Sequence, residues 1–390
     1  MVIFAVARLT RAVEPDNLMR LCFLIYAYFP YGGQQRDFAS IVQECQRRGH
    51  EIDVYCLRWQ GEVFPGINRT FVPVRALTNI GLYRRYTDWV ATALAKTPPD
   101  VTIGFSSMPL LDIQFAADIC FAEKAEHHRG FYYRFTSRYR HFSAYEKAVF
   151  GSDSKTQIMV LSPRQQTAFT TYYPRCANRL HLMPPGINAD RLVTAAHRQE
   201  GAALRAEYGV AENDFMLLQV GSGFRVKGVD RSLRALAALP DTLRQRCRYL
   251  LIGQDKPARY LRLAHRLGVS NNVTVLPGRD DVPRFLAAAD ILLHPAYMES
   301  AGYIILEAII AGLPVLTTAT CGYAPRVETA NAGLVCQNPF NQQELNEKLH
   351  HMLETLPNSN WSSNGIEYGK QPELYSLPSA AADLIEATKA

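Results

Sequence analysis

Short runs of consecutive apolar residues alternate along the chain with longer stretches that mix polar and apolar positions over helical lengths. In the first half the runs are Leu21-Cys-Phe-Leu-Ile-Tyr26, Glu51 to Cys56, Phe71-Val-Pro-Val, Val101-Thr-Ile-Gly-Phe105 and Gln157-Ile-Met-Val-Leu161. Helix-like stretches lead from the Gly32-Gly33 turn to about Arg48 and from Leu82 to Lys96. In the second half the runs are Phe215 to Val220, Arg248 to Ile252, Val273 to Leu276, Asp290 to Leu293, Pro314 to Thr318 and Gly333 to Cys336. Such runs suit parallel strands covered on both faces, and strands alternating with helices predict βαβ units. A length of 390 residues suits two cores, and the turn-rich Met183-Pro-Pro-Gly-Ile-Asn-Ala-Asp190 marks a linker between them. The pattern therefore predicts an α/β protein of two doubly wound domains.

One stretch of the second half carries candidate chemistry. After the run ending at His294 comes Glu299-Ser-Ala-Gly-Tyr-Ile-Ile-Leu-Glu307, in which Tyr303 to Ala311 lacks Gly and Pro and predicts a short helix. Gly302 falls at the turn into that helix, where a missing Cβ admits a ligand close to backbone and the free amides of the first turn attract an anion such as a diphosphate. Glu307, one turn beyond Tyr303 among Ile, Leu and Ala, requires hydrogen-bond donors. Two adjacent sugar hydroxyls would serve; so would a nearby Arg, with Glu299 then a solvated loop residue.

Two Gly-rich loops belong to the same region of an open α/β sheet, outside the carboxyl ends of the strands. Gly32-Gly33 lacks the third glycine of a dinucleotide fingerprint, which leaves a turn needing positive φ or a loop approaching a substrate, with Asp37 in the first turn of the helix beyond. Gly221-Ser-Gly-Phe-Arg-Val-Lys-Gly228 is followed by Val229, so it is not a phosphate P-loop, yet Arg225 and Lys227 are placed to neutralise a diphosphate. No Asp-x-Asp occurs, which argues against a metal-clamped diphosphate and for a site without metal.

Residues 121–150 interrupt the alternation with Phe131, Tyr132, Tyr133, Phe135, Tyr139, Phe142 and Tyr145 interleaved with Arg129, Arg134, Arg138 and Arg140. A basic aromatic segment of this kind suits the interface of an anionic membrane or an acidic acceptor. A half-buried helix with a solvated basic face remains an alternative; a nucleic-acid partner is not expected, because the basic aromatic residues concentrate in this one insertion while the other features converge on a sugar nucleotide.

Charge sharpens this. Residues 19–185 carry 20 basic against 13 acidic side chains, a net +7, and residues 186–390 carry 20 against 21, a net −1, so the first half is the one suited to an acidic partner. The eight cysteines form no Cys-x-x-Cys pair, consistent with reduced thiols in a cytosolic setting and no metal site. No apolar run reaches the roughly 18 residues that span a bilayer, which leaves a soluble or peripheral protein. Met19 directly precedes the first strand, so residues 1–18 are expected to be a non-native or disordered extension.

With these features assembled, the chain resembles the retaining glycosyltransferases of family 4, and among them the lipopolysaccharide-core glucosyltransferases that act on an inner-core heptose. The resemblance covers essentially everything after Met19. It rests on Phe29-Pro-Tyr-Gly-Gly-Gln-Gln-Arg-Asp37, Lys227-Gly-Val-Asp-Arg231, Gly253-Gln-Asp-Lys-Pro257, His294-Pro-Ala-Tyr297, Thr317-Thr-Ala-Thr-Cys-Gly-Tyr323 and Leu374-Tyr-Ser-Leu-Pro378. It implies a GT-B architecture, two Rossmann-like domains facing across a cleft. Residues 19–185 with about 368–390 would bind the acceptor, and 186–367 the nucleotide sugar.

The resemblance further implies UDP-glucose as donor substrate and no cofactor. Glu299 would face the hexose and Glu307 the ribose; Gly302, Tyr303, Ile304 and Lys227 would hold the diphosphate, and Arg279 the base. Asp37 and Asp118 would lie across the cleft near the reacting groups, beside Gly33. The family's Arg before this lysine is replaced by Val226, with Arg225 one residue earlier. The implied setting is the cytoplasmic face of the inner membrane. UDP-galactose or UDP-N-acetylhexosamine as donor, or a non-catalytic nucleotide-sugar binding role at a membrane, are the alternatives.

Overall fold

The computed structural model describes residues 18–389 apart from residue 31, so the expectation for residues 1–18 falls almost wholly outside the described residues. Among the described residues thirteen strands form two all-parallel sheets. The first contains β1 (Arg20–Tyr28), β2 (Glu51–Trp59), β3 (Ile67–Phe71), β4 (Val101–Gly104), β5 (Ile113–Ala116), β6 (Gln157–Val160) and β7 (Leu180–Leu182), in the order β3-β2-β1-β4-β5-β6-β7. The second contains β8 (Phe215–Val220), β9 (Cys247–Ile252), β10 (Val273–Leu276), β11 (Ile291–His294), β12 (Val315–Thr318) and β13 (Gly333–Cys336), in the order β10-β9-β8-β11-β12-β13. Strand order reverses between β1 and β4 and between β8 and β11, the switch points where doubly wound sheets open a crevice.

Apolar residues occupy both faces of the central strands, as an all-parallel sheet demands. Leu21, Phe23 and Ile25 of β1 join one buried cluster and Cys22 and Leu24 the opposite one. Helix Gly33–Arg47 is clamped to the sheet by edge-on aromatic contacts of Phe38 with Phe23 (centroids 6.0 Å) and Phe105 (5.1 Å). The sequence pattern misplaced or missed three strands. β3 ends at Phe71, where the expected run begins, because Pro73 lacks the amide that a ladder needs. β5 and β7, of 4 and 3 residues, are too short to be told from loop by composition.

The chain crosses between the domains twice, side by side. Ile187 N donates to Leu374 O (3.0 Å) and Leu377 N to Pro185 O (3.1 Å), which ties the linker to the returning C-terminal segment. Helix Leu377–Lys389 then packs on the first domain, where Arg48 reaches Asp383 (2.6 Å) and Glu386 (3.0 Å) and Lys389 reaches Asp100 (2.9 Å). Residues 121–150 fold as helix Phe121–His128, a 3-10 turn Phe131–Phe135 and helix Ser137–Phe150, the connection from β5 to β6.

Candidate active site

The loop from β11 to helix Tyr303–Ala311 is held from three sides. Arg231 lies between the rings of Tyr297 and Phe340, 3.6 Å from each centroid, and donates to the carbonyls of Pro295 and Ala296 (3.2 Å each). Gly228, with φ +71°, passes so close that a Cβ would run into the Pro295 carbonyl. The Thr317–Tyr323 segment pins the loop further: Glu299 N donates to Thr320 O (3.2 Å), Gly322 N to Glu299 O (3.1 Å) and Tyr323 N to Ala301 O (2.8 Å). Three of the motifs quoted above, 227–231, 294–297 and 317–323, are thus the scaffold of one loop. Ser162 of the first domain also donates to Ser300 O (2.7 Å), so the other half of the molecule touches this loop.

That scaffold aims Glu299 at Lys227. Its Oε2 accepts from Lys227 Nζ and lies 3.3 Å from His294 Nε2, while Oε1 has no partner among the described residues. Burial would raise the Glu299 carboxyl, but the Lys227 charge and the His294 hydrogen bond outweigh it and hold it at about 2. His294 is itself buried, which pushes its ring below the ordinary imidazole range. Glu299 is therefore ionised at any working pH, with one oxygen fixed and one free.

Gly302 takes φ +94°, the left-handed geometry that favours glycine, and turns the chain into the helix. The N–H groups of Gly302, Tyr303 and Ile304 bond nothing among the described residues and open onto the cleft. Glu307, further along, does not await a sugar alone. Arg191 grips it with two parallel bonds, Nε to Oε1 (2.9 Å) and Nη2 to Oε2 (2.7 Å), both side chains being 7% exposed. Both nevertheless line the cleft, so the carboxylate retains lone pairs for a ligand.

The cleft between the domains spans about 2040 Å³, open solvent included, and brings together most of the residues singled out from the sequence: Gly33, Asp37, Asp118, Lys227, Arg279, Glu299, Gly302, Tyr303, Ile304 and Glu307. Arg225 does not join them; it is exposed on the far part of its loop, so Lys227 alone of that pair faces the cleft. Arg279 is there but already forked to Asp281 (2.6 and 2.8 Å). Arg36 and Arg191, which sequence reasoning did not single out, add positive charge to the cleft. Only the chain path, bringing the linker beside helix Tyr303–Ala311, reveals Arg191.

The first-domain side departs from expectation. Neither Gly32 nor Gly33 has positive φ; Gly33 starts its helix facing the Tyr303 ring, so the loop is a close approach between domains. Asp37 is 2% exposed, and burial pushes its carboxyl up to about 8 against the smaller pulls of the Tyr303 hydroxyl and Arg36. Although Tyr303 is near, Asp37 Oδ2 and the hydroxyls of Tyr303 and Tyr323 make no hydrogen bond of ordinary geometry. A carboxyl protonated at pH 7 cannot take up another proton, which sets Asp37 against a base role. Asp118 remains open to solvent at the cleft floor; protein packed around it raises its carboxyl, partly offset by Lys124. Among the described residues no three His, Cys, Asp or Glu side chains are grouped to hold a metal ion.

Two parallel α/β domains facing across a cleft, with free helix amides and paired charges on one wall, define a glycosyltransferase of the GT-B class. Residues 31–191 match the family described as Glycosyltransferase Family 4, and residues 202–368 match Glycosyl transferases group 1. The chain is 45% identical over 368 residues to the lipopolysaccharide glucosyltransferase WaaG of Escherichia coli K12, spanning 94% of this chain and 98% of that protein. The crystal structure of WaaG superposes with a TM-score of 0.87 over 94% of this chain and 99% of the other. The chain belongs to this family of glycosyltransferases. Sucrose-phosphate synthase from Thermosynechococcus elongatus shares the fold at 16% identity, with a TM-score of 0.76 over 94% of this chain and 98% of its own.

Proposed function

We propose that this enzyme transfers glucose from UDP-glucose to a heptose of the lipopolysaccharide inner core, with retention at the anomeric carbon and without a metal ion. The observation that carries the reading is the second-domain wall of the cleft, where an ionised Glu299 with one free oxygen lies beside Lys227 and three free amides. Identity of 45% to WaaG along nearly its full length supports the choice of substrates. Lys227 and the amides stabilise charge growing on the leaving diphosphate, in place already before the bond breaks. Glu299 Oε1 accepts from hexose hydroxyls, and Glu307, steadied by Arg191, from those of the ribose. With Asp37 neutral, the acceptor proton passes to the departing phosphate oxygen as the acceptor oxygen bonds to the same face of the anomeric carbon.

The test is transfer of labelled glucose from UDP-glucose to deacylated inner-core oligosaccharide in excess EDTA. Unchanged rates are expected. A strict divalent requirement overturns the metal-free mechanism, and transfer only from UDP-galactose or UDP-N-acetylhexosamine replaces the donor. Neither transfer nor hydrolysis of any of them leaves a binding protein.

We infer in addition that residues 121–150 rest on an anionic membrane, with the protein peripheral on the cytoplasmic face of the inner membrane. Phe131, Tyr132 and Phe135 are 68%, 82% and 67% exposed, and Arg134, Arg138 and Arg140 lie beside them on the surface. Among the described residues no helix is long and apolar enough to cross a bilayer. Flotation with phosphatidylglycerol vesicles at low salt is expected, with release in a triple Arg134→Ala, Arg138→Ala, Arg140→Ala variant. Wild-type protein that stays unbound refutes the docking.

A further inference from the structure

A second cavity, of about 1240 Å³ with its open mouth included, is lined wholly by first-domain residues and lies against the 121–150 segment. Ala117 and Asp118 line both it and the cleft, so the two spaces adjoin at this short segment. Its floor holds Gln114, 2% exposed, whose Nε2 donates to Phe115 O (2.8 Å) and whose Oε1 accepts from nothing among the described residues. A buried amide oxygen without a donor is costly, and a hydroxyl-bearing ligand would satisfy it.

The wall facing Gln114 is cationic. Lys124, Arg129 and Arg138 all line the cavity, and among the described residues none forms an ion pair. Arg129 and Arg138 rest on the rings of Tyr133 (5.4 Å) and Phe142 (4.9 Å), which steadies their guanidinium groups without neutralising them. Of the two carboxylates in the lining, Glu146 is occupied: it caps helix Phe121–His128 by accepting from Phe121 N (2.5 Å) and Ala122 N (3.0 Å) and also accepts from Tyr173 (2.8 Å). That leaves Asp118, at the junction with the cleft, as the one carboxylate in the lining without such a partner set.

We propose that this cavity is the acceptor subsite and that it selects a saccharide carrying an anionic group. Gln114 Oε1 would accept from a ring hydroxyl, and Lys124, Arg129 and Arg138 would hold a carboxylate or phosphate on the same or the neighbouring sugar. The reacting hydroxyl would then emerge past Asp118 into the cleft. This rests on the transferase reading of the cleft and adds the chemical class of acceptor and the residues that choose it. The same cations could instead serve a lipid headgroup, which the experiment separates.

Binding of deacylated inner-core oligosaccharide to the full chain is measured by calorimetry with UDP present, beside a carboxyl-reduced, dephosphorylated form and glycerophosphoglycerol as a headgroup probe. The native oligosaccharide is expected to bind, with affinity lowered about 10-fold or more by Lys124→Met, by Arg129→Met and by Gln114→Met. The thermal shift given by UDP should not change in these variants, which shows that they fold and keep the cleft. No binding by the wild type, equal binding of the neutral form, or binding of the headgroup probe alone overturns the proposal. Lys124-dependent binding in a protein that transfers no glucose upholds the subsite and overturns the donor assignment instead.

Discussion

Glu299→Ala is expected to lower kcat by about 10²- to 10³-fold while changing the KM for UDP-glucose much less. The donor's diphosphate would still meet the amides of Gly302, Tyr303 and Ile304, so most ground-state binding survives. What is lost is the free Oε1 proposed to hold the hexose and the Oε2 that holds Lys227. Without its partner, the Lys227 ammonium swings between the phosphate and water, and the anomeric carbon is no longer held in line with the acceptor. Glu299→Gln keeps the shape and one acceptor oxygen and should fall between the two. Steady-state kinetics on protein that retains its UDP thermal shift decides the matter, and wild-type turnover in Glu299→Ala removes the central claim about this site.

Breaking the Arg191–Glu307 pair is expected to cost stability as well as function. Both side chains are buried, and each carboxylate oxygen takes one bond from the guanidinium, so removing either partner strands an uncompensated charge. Arg191→Met or Glu307→Leu should each destabilise by about 3–5 kcal/mol, measured by urea unfolding, whereas the double variant should recover most of that loss. UDP affinity tests the ribose role proposed for Glu307 apart from its pairing: it is expected to stay weak in the double variant although the fold is restored, because the proposed acceptor for the ribose is gone. Single variants as stable as the wild type would mean that the pair is not closed in solution.

The extent to which this site was legible in the sequence follows the range of the interactions involved. Helix Tyr303–Ala311 was placed to the residue because its limits are local: Gly302 and Gly312, at φ +94° and +77°, frame an uninterrupted apolar stretch. Most of the second sheet was equally plain, since each strand is a buried run between turn formers. Glu299, Lys227 and the helix amides were expected in one crevice because all three sit at carboxyl ends of strands in one sheet, and they line the same cleft. Glu307 was left between a sugar and an arginine, and the structure places the arginine there while keeping the carboxylate on the cleft. Arg225 and Lys227 were indistinguishable by spacing; the loop's path turns one in and leaves the other outside.

The sequence by itself determined two parallel α/β domains, the linker, the basic first half and the loop that carries Glu299, because periodicity, turn chemistry and glycine placement act within a few residues. Only the tertiary structure decided what crosses between elements. It brought Arg191 to Glu307 from 116 residues away, buried Asp37 against Tyr303 so that its carboxyl is neutral, and set a first-domain cavity beside the cleft at Asp118. Desolvation and charge pairing depend on which surfaces meet, and that is fixed by chain crossings and domain contact rather than by any local pattern.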